Sequence, residues 1–364
     1  MVLTLMLISP FLLQGQNPKV VRINPKEVAT CNLSQIAEKV TPISLSSYKD
    51  LYRNGAEFFY ITDDYLFIIG VNAIGRLDIS WKYIETGYKT GYFRGDGGIT
   101  SITGDPDKKE IYFCTNSKVV CCDYSLTIKK VFGTKYNTNS IFFYNNKLCI
   151  ASYELNESVK GVRITYRISS MDVVTGKEKF FPFEISETSQ GEKWGLFIQK
   201  PIFSVYNDQI VYSNVIDSTL YGIKGDSIYP LKQYVIEPIT KYMISSIQRQ
   251  GFIGKNLYLE YRMSSPMGPA YGNSFIYLED TETGKGYNLN ETFNDDLYHT
   301  GNCRPDCFAN KPGYFIVRRE VSDLKKSFNL KIPTDSPAIY IVKMKSLNPQ
   351  VKNVGDWGKM LINF

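Results

Sequence analysis

The chain has 364 residues, about two to three times the usual length of one domain and enough to bury a large core. Hydrophobic residues make up 43% and charged residues 21%, which excludes a wholly disordered chain and a coiled coil. Lysine and arginine exceed aspartate and glutamate only mildly (42 against 36), and no basic run resembles a nucleic-acid-binding arm, so we expect no nucleic-acid partner. The single histidine argues against histidine-rich metal sites and most histidine-based catalysis.

The N-terminus has the pattern of an export signal. Residues 1–13 are apolar and uncharged, and small or polar residues follow at 14–18, which indicates a signal peptide over 1–15, although no lysine or arginine precedes the run. The run is shorter than the roughly 20 residues of a membrane span, and no cysteine follows it that could carry a lipid. We therefore expect an exported protein, periplasmic, at the cell surface or extracellular, with no transmembrane segment. The alternative is a buried first strand or helix.

The seven cysteines cannot all pair within the chain, because their number is odd. Four of them lie in apolar, strand-like sequence, where a free cysteine acts as a small hydrophobe: Cys114, Cys121, Cys122 and Cys149. The alternative for that region is a disulfide bridge between Cys114 and Cys121. Cys303 and Cys307 could bridge only if the residues between them form a turn, because a straight strand would hold them about 13 Å apart. No second cysteine pair lies nearby, so the C-x3-C spacing is only a weak metal signal, and we expect no metal and no cofactor.

One pattern recurs along the chain: an aromatic or β-branched run, a short polar turn and a second such run. Its turns lie at 63–64, 107–108, 145–146, 207–208, 254–255 and 311–313, which gives spacings of about 40–60 residues, close to those of propeller blades. Further strands lie between the copies, and two pairs of them are joined by the same Thr-Gly-Lys turn, at 175–177 and 283–285. Each repeat therefore carries about four strands.

Six such units predict an all-β fold, a six-bladed β-propeller of four-stranded antiparallel blades. A β-sandwich or two all-β domains is the alternative, and it would have to hold about two dozen strands, more than such domains usually contain. The sixth repeat lacks a fourth strand, so we expect an N-terminal strand, either 19–23 or 41–45, to complete it and close the ring. The sequence also predicts one short helix at 32–40, with Asn32 or Ser34 as its cap.

These elements define the expected organisation of the chain. We expect a signal peptide over 1–15, a lead-in with the short helix over 16–40, the propeller over 41–345 and a C-terminal tail over 346–364.

Three stretches resemble the six-bladed β-propeller proteins of Bacteroides-type bacteria, most of which have no known function. NLSQIAEKVTPISLSS (32–47) is similar to the opening of that family, AEFFYITDDYLFIIGVNAIGRLDIS (56–80) to its first blade, and DSPAIYIVKMK (335–345) to its closing strand. The resemblance covers most of 30–345. The chain departs from the family in two places: GYFRGDGGIT (91–100) stands where members often carry a Gly-Arg-Gly-Pro-Gly-Glu-like loop, and the lipoprotein cysteine of many members is absent.

The connections of a propeller fall into two classes, because its strands alternate in direction. The tight turns share one end of the blades, whereas the long segments 85–97, 154–162, 185–198, 263–273 and 320–337 belong to the other end. Function tends to lie in loops on a rigid scaffold, and aromatic residues with arginines suit stacking on sugars or binding carboxylates. The candidate ligand-binding residues at that end are Arg94, Asp96, Trp194, Tyr261, Arg262, His299, Arg304 and Arg318. For each of them, a solvated loop residue is the plainer alternative.

The motif search favours binding over catalysis. The sequence contains no Gly-x-Ser-x-Gly elbow, no phosphate-binding loop and no His-Glu-x-x-His zinc motif. We therefore expect a monomeric binding scaffold that takes a glycan, a peptide or a protein through its long loops. One alternative is a propeller lyase or hydrolase that uses Arg, Tyr, Asp and His299 at the channel mouth, and another is a structural component of the cell surface.

Overall fold

The computed structural model describes residues 17–26, 28–44, 58–69, 73–78, 83–89, 98–158, 161–189, 201–206, 209–214, 216–238, 244–253, 255–265, 268–299, 301–305, 307–308, 311, 313–320 and 337–345. The expected signal peptide and C-terminal tail lie outside these residues. Two compact units can be distinguished. The first holds most of the strands from Phe58 to Gln233, and the second holds 20–44, Asp78, Tyr83 and the strands from Tyr234 onward. No helix in the described ranges is long and apolar enough to cross a membrane.

The N-terminal segment consists of β1 (Lys19–Ile23), α1 (Leu33–Ile36) and β2 (Ala37–Ser44). The helix begins after Asn32, as predicted, but it is four residues long and ends well before residue 40. From Ala37 onward the chain pairs with a strand near the C-terminus, and the hydrogen bonds of that ladder replace those of a longer helix.

The first unit contains four antiparallel sheets. Blade 1 consists of β3 (Phe58–Ile61), β4 (Tyr65–Ile69), β5 (Ala73–Asp78) and β6 (Tyr83–Lys89). Blade 2 consists of β7 (Ser101–Asp105), β8 (Glu110–Cys114), β9 (Lys118–Asp123) and β10 (Ile128–Gly133). Blade 3 consists of β11 (Asn137–Tyr144), β12 (Lys147–Ser158), β13 (Gly161–Asp172) and β14 (Glu178–Ser189). Blade 4 consists of β15 (Ile202–Tyr206), β16 (Gln209–Asn214), β17 (Thr219–Lys224) and β18 (Ser227–Ile236).

The second unit contains the remaining sheets. Blade 5 consists of β19 (Ile244–Ile253), β20 (Asn256–Ser265), β21 (Gly268–Asp280) and β22 (Gly286–Asn290), and the short strands β23 (Phe293–Asn294) and β24 (Asn302–Cys303) follow it. Blade 6 consists of β25 (Cys307–Phe308), β26 (Tyr314–Glu320) and β27 (Pro337–Met344), and β2 pairs with β27 as its outer strand. The described strands thus form the six antiparallel blades of a β-propeller, and the predicted fold is confirmed. The predicted N-terminal strand is confirmed as well.

Local sequence explains the tight turns. Asn145 and Asn146 both have positive φ angles of 49° and 60°, which suits the predicted two-residue hairpin turn. The two Thr-Gly-Lys turns share the same hydrogen bonds. Oδ1 of Asp172 accepts the backbone N–H groups of Val174 and Thr175, and Oδ1 of Asp280 accepts the corresponding N–H groups in blade 5. The repeat seen in the sequence therefore extends to the atomic structure of these turns.

The core lies between neighbouring blades. In the first unit, one cluster joins Tyr112 and Cys114 of blade 2 to Leu148 and Ile150 of blade 3, and all four are at most 1% exposed. Such aromatic and aliphatic side chains each bury enough surface to stabilise the fold by about 1.5–3 kcal/mol.

Six cysteines are buried thiols outside any disulfide: Cys31, Cys114, Cys121, Cys122, Cys149 and Cys303. The interpretation of Cys114, Cys121, Cys122 and Cys149 as small hydrophobic residues is confirmed. Because none of Cys114, Cys121 and Cys303 is in a disulfide, neither the Cys114–Cys121 bridge nor the Cys303–Cys307 bridge is formed. Burial raises the pKa of Cys149 to about 12, so its thiol stays protonated at neutral pH.

Candidate functional site

Blade 3 projects at the end that carries its second-to-third turn and its link to blade 4. In each blade, taken by itself, this end is here called the long-loop face. Its strands β12, β13 and β14 have 12 residues each, whereas β16 and β17 of blade 4 have six. β12 and β16 are both the second strand of a hairpin, and they begin at the pairs Tyr144–Lys147 and Tyr206–Gln209. The extra six residues of β12 therefore extend about 20 Å beyond that level at the long-loop face. Pairing continues to the tip, where Ser158 lies opposite Gly161.

Blade 5 is lengthened in the same way within the second unit. Its strands β19 and β20 have 10 residues each and β21 has 13. The ladder between β20 and β21 continues through a bulge to the pair Ser265 and Gly268. The outer strand β22 has only five residues. The lengthening therefore belongs to the inner strands, which present a sheet rather than an irregular loop at the long-loop face.

Three of the candidate ligand-binding residues, Arg94, Asp96 and Trp194, lie outside the described residues. A fourth, Tyr261, is fully buried. Its ring stacks on Phe275 with centroids 5.3 Å apart, and its hydroxyl donates a 2.7 Å hydrogen bond to Oδ1 of Asn288. Burial raises the pKa of Tyr261 far above its ordinary value, so the hydroxyl remains a neutral donor. We assign Tyr261 a packing role in blade 5.

The next three candidates occupy separate positions in the second unit. Arg262 is half-buried on β20, between Ser246 and Ser274 of the flanking strands. Arg318 is half-buried on β26. His299 is exposed, has a left-handed φ of 55°, and uses its backbone N–H to bond the carbonyl of Asp295 at 3.1 Å. The described contacts of His299 are thus those of a turn residue.

Arg304, the last candidate, lies in an ion-pair cluster at the link between blades 5 and 6. Its Nη1 atom is 3.3 Å from Oε1 of Glu260 on β20 and 3.2 Å from Oε1 of Glu291. The Arg304 side chain is 42% exposed, so part of the guanidinium faces solvent. Both described contacts use Nη1, which leaves the edge formed by Nε and Nη2 available for a planar acceptor such as a carboxylate.

A second arginine fixes the segment that carries Arg304. Arg249 on β19 donates from Nη1 to the carbonyl of Pro305 at 2.8 Å, and it lies opposite Glu260 in the β19–β20 register. The hydroxyl of buried Tyr258 lies 3.4 Å from Oε2 of Glu260. The backbone beside Arg304 and the carboxylate that it contacts are therefore both held by the rigid inner strands of blade 5.

The preceding turn, 295–302, is built around the buried Asp295. Its Oδ1 atom accepts the N–H groups of Leu297 and Tyr298, at 3.2 and 3.0 Å. Arg319 lies 4.0 Å from the other carboxylate oxygen and donates to the carbonyl of Asn302 at 2.9 Å. The pair of Asp295 and Arg319 therefore fixes the backbone of the link that ends at Arg304.

Asp217 is a half-buried residue in the second-to-third turn of blade 4, in the first unit. Burial raises its pKa to about 6, against the opposing effect of hydrogen bonds from the Tyr221 hydroxyl and the Thr219 N–H. The same burial raises the pKa of Tyr221, which is increased further by the neighbouring Asp217 charge. The described polar partners of this carboxyl group belong to its own turn and to β17.

The sequence did not point to Glu260, Glu291 or Arg249, although they complete the Arg304 cluster. For Arg249 and Glu260 the signal is a pair of opposite charges that face each other on neighbouring strands, and it appears once the β19–β20 register is known. Within the described ranges, no group of three or more histidine, cysteine or acidic side chains is placed to hold a metal ion.

Comparison with known proteins gives similarity at the level of the fold. No family model and no curated protein matches the chain. The crystal structure of a predicted exported protein from Bacteroides fragilis is similar with a TM-score of 0.63 at 12% identity, over 90% of this chain and 100% of that one. This similarity supports the β-propeller fold that the sequence predicts.

Two further structures are similar at lower scores. A protein of unknown function from Bacteroides caccae gives a TM-score of 0.39 at 9% identity, over 70% of this chain and 82% of that one. BamB from Moraxella catarrhalis gives 0.36 at 14% identity, over 77% and 85%. Both scores are too low to support any conclusion about function.

Proposed function

We propose that the chain is an exported β-propeller that binds a ligand or a partner protein through its long-loop face. Export rests on the signal-peptide pattern of residues 1–15 and agrees with the name of the similar Bacteroides fragilis protein. The propeller supplies a rigid scaffold, and binding residues on such scaffolds are usually carried by loops and projecting elements.

The observation that carries the proposal is the one-sided lengthening of blades 3 and 5. The tight turns at the opposite end are short and closed by their own hydrogen bonds, as at Asp172 and Asp280. The long-loop face instead carries paired strands of 10 to 13 residues in blade 5. Ordered strands place side chains more precisely than irregular loops do, which suits a binding surface.

Arg304 is the residue that we expect to contact the ligand in the second unit. Its guanidinium is held through one nitrogen by Glu260 and Glu291, and its remaining edge is oriented before any ligand arrives. A side chain that is already held in place loses little conformational entropy on binding, which favours affinity.

The test is a binding screen followed by a matched pair of variants. The full chain is screened against glycan and peptide arrays, and each binder is then titrated against Arg304→Gln and Lys285→Gln. Lys285 lies in the tight turn of blade 5 and carries the same charge. We expect the Arg304 variant to lose about tenfold in affinity, close to 1.4 kcal/mol, and the Lys285 variant to bind normally. A screen without any binder, or an equal loss in both variants, would contradict the proposal.

Catalysis at the channel mouth remains a prediction from the sequence. It requires ionisable groups with altered pKa values beside a position for the substrate. Among the described residues, Asp217 has such a pKa, but Tyr221 and Thr219 both donate to its carboxylate. No described observation therefore favours an enzyme over a binding scaffold.

A further inference from the structure

The projecting part of blade 3 has two different faces. On one face, Val162, Ile164 and Tyr166 are buried, with at most 6% of each residue exposed. The opposite face is polar and is here called the blade 3 polar face. It consists of Asn156, Arg163 and Thr188 in an outer row and of Glu154, Thr165 and Ser186 in an inner row, as the pairing register places them.

The outer row is open to solvent. Arg163 lies between Asn156 on β12 and Thr188 on β14, and all three residues are exposed. Adjacent strands are about 4.8 Å apart, so these side chains form a continuous row of hydrogen-bonding groups. A flat, polar ligand of several hydroxyl groups could contact all three strands at once.

Arg163 has no carboxylate partner among the described residues. Its Nη2 atom donates to the Ser186 hydroxyl at 3.2 Å, and that hydroxyl is also 3.1 Å from the hydroxyl of Thr165. Both contacts are neutral, so the charge of Arg163 is not compensated. The inner row thereby orients the guanidinium while its charge remains available to a ligand.

The acidic groups of this face are directed away from Arg163. Glu154 and Glu184 contact Arg167 at distances of 3.5 and 2.5 Å. Arg167 lies on β13 one alternate residue beyond Thr165 of the inner row. Alternate residues of a strand are about 6.6 Å apart, so the carboxylates are neutralised away from the outer row. The outer row is therefore locally positive, and it complements a negatively charged ligand.

We propose that the blade 3 polar face binds a carboxylate-bearing saccharide, with the sugar carboxylate on Arg163 and hydroxyl groups on Asn156 and Thr188. An arginine fork matches a carboxylate in a bidentate geometry. A protein partner fits less well, because protein interfaces depend on apolar and aromatic anchors, and no large apolar side chain is exposed on this face in the described part of blade 3. This inference rests on the proposed function and names its ligand class.

The experiment titrates the full chain with polygalacturonate, alginate and hyaluronate, and with fully methyl-esterified polygalacturonate as the uncharged counterpart. Arg163→Gln removes the charge, Arg163→Lys keeps the charge without the fork, and Lys177→Gln is the control in the tight turn of the same blade. We expect at least one acidic saccharide to bind more tightly than the ester. Arg163→Gln should weaken it about tenfold, Arg163→Lys by an intermediate factor, and Lys177→Gln by less than about twofold.

Three results would overturn the inference: no binding of any acidic saccharide, equal binding by Arg163→Gln and the unchanged chain, or equally tight binding of poly-glutamate, which would indicate a peptide ligand. The Arg304 screen separates this failure from failure of the proposed function. If an Arg304-dependent ligand is found while the saccharides fail, only the blade 3 assignment is wrong. If neither surface binds anything, both proposals are wrong.

Discussion

Nη1 of Arg304 lies 3.3 Å from Oε1 of Glu260, and this contact joins the link before blade 6 to an inner strand of blade 5. Glu291 lies at a similar distance from the same nitrogen, but the two carboxylates differ in environment. The Glu260 side chain is 13% exposed and that of Glu291 is 47% exposed. A buried charge depends on its partner much more than an exposed one does, because water cannot replace the lost contact.

The two glutamates should therefore respond differently to the same substitution. We expect Glu260→Gln to lower the free energy of unfolding by about 1–3 kcal/mol, since it removes the charge of a mostly buried carboxylate from its pair with Arg304. Glu291→Gln should change it by less than about 0.5 kcal/mol. Urea unfolding of both variants measures the difference, with the slope m unchanged. Equal effects of the two substitutions would show that exposure does not distinguish the two pairs.

Asp217 should make stability depend on pH. Its folded pKa of about 6 lies above the ordinary value of 3.8, so the folded state favours the protonated form. The protonated carboxyl group of Asp217 contributes its full stabilisation to the fold below about pH 3.8, and this contribution is lost as the pH rises through 6. The shift corresponds to at most about 3 kcal/mol. Asp217→Asn, which cannot ionise, should gain roughly 1–3 kcal/mol over the unchanged chain between pH 4 and pH 7.5.

The measurement for Asp217 is the difference in unfolding free energy between variant and unchanged chain at each pH. This difference cancels the titration of other carboxyl groups. Asp226→Asn serves as the control, because Asp226 is exposed and its pKa is lowered by the hydrogen bond from Lys179. A constant difference for Asp217→Asn across the range would contradict the raised pKa.

Gly286 and Gly133 should differ in their tolerance of alanine. A Cβ atom on Gly286 would lie 1.9 Å from the hydroxyl oxygen of Tyr277, whose side chain is buried, whereas a Cβ on Gly133 would meet no atom within 4 Å. We expect Gly286→Ala to destabilise the fold by about 1–3 kcal/mol, and Gly133→Ala to change it by at most about 1 kcal/mol.

A double variant tests the cause of the Gly286 effect. In Tyr277→Leu the obstructing ring is absent, so Gly286→Ala should cost clearly less in that background than in the unchanged chain. Thermal or urea unfolding of the four proteins gives the coupling energy. Strictly additive effects would show that the close approach to Tyr277 is not what requires glycine here.

The sequence predicts those parts of the fold whose causes are local. Asn145 and Asn146 accept the left-handed backbone of a hairpin turn, and the Asp-x-x-Thr-Gly-Lys segments at 172–177 and 280–285 close on their own side chains. Six such units in a row imply a propeller, because the blades bury their apolar faces against one another.

Features that depend on distant residues were not predictable in the same way. Residues 37–40 have a helix-compatible sequence but form a strand, because β27, about 300 residues later, offers its edge. The candidate site shows the same limit. Arg304 could be selected as a charged loop residue, whereas its contact with Glu260 requires the packing of a link against β20. The sequence shows Tyr261 only as an aromatic residue near a loop, and nothing in its local sequence indicates that it is fully buried.

The N-terminal segment should contribute strongly to stability although it precedes all complete blades in sequence. Within the second unit, Ala29 bonds to Asn288 of blade 5, and β2 completes blade 6. Leu33 is fully buried in the same core, whereas Val20 on β1 is 49% exposed. We expect Leu33→Ala to cost about 2–5 kcal/mol, and Val20→Ala less than about 0.5 kcal/mol. Urea unfolding measures both, and a small effect of Leu33→Ala would mean that blades 5 and 6 are stable without the N-terminal segment.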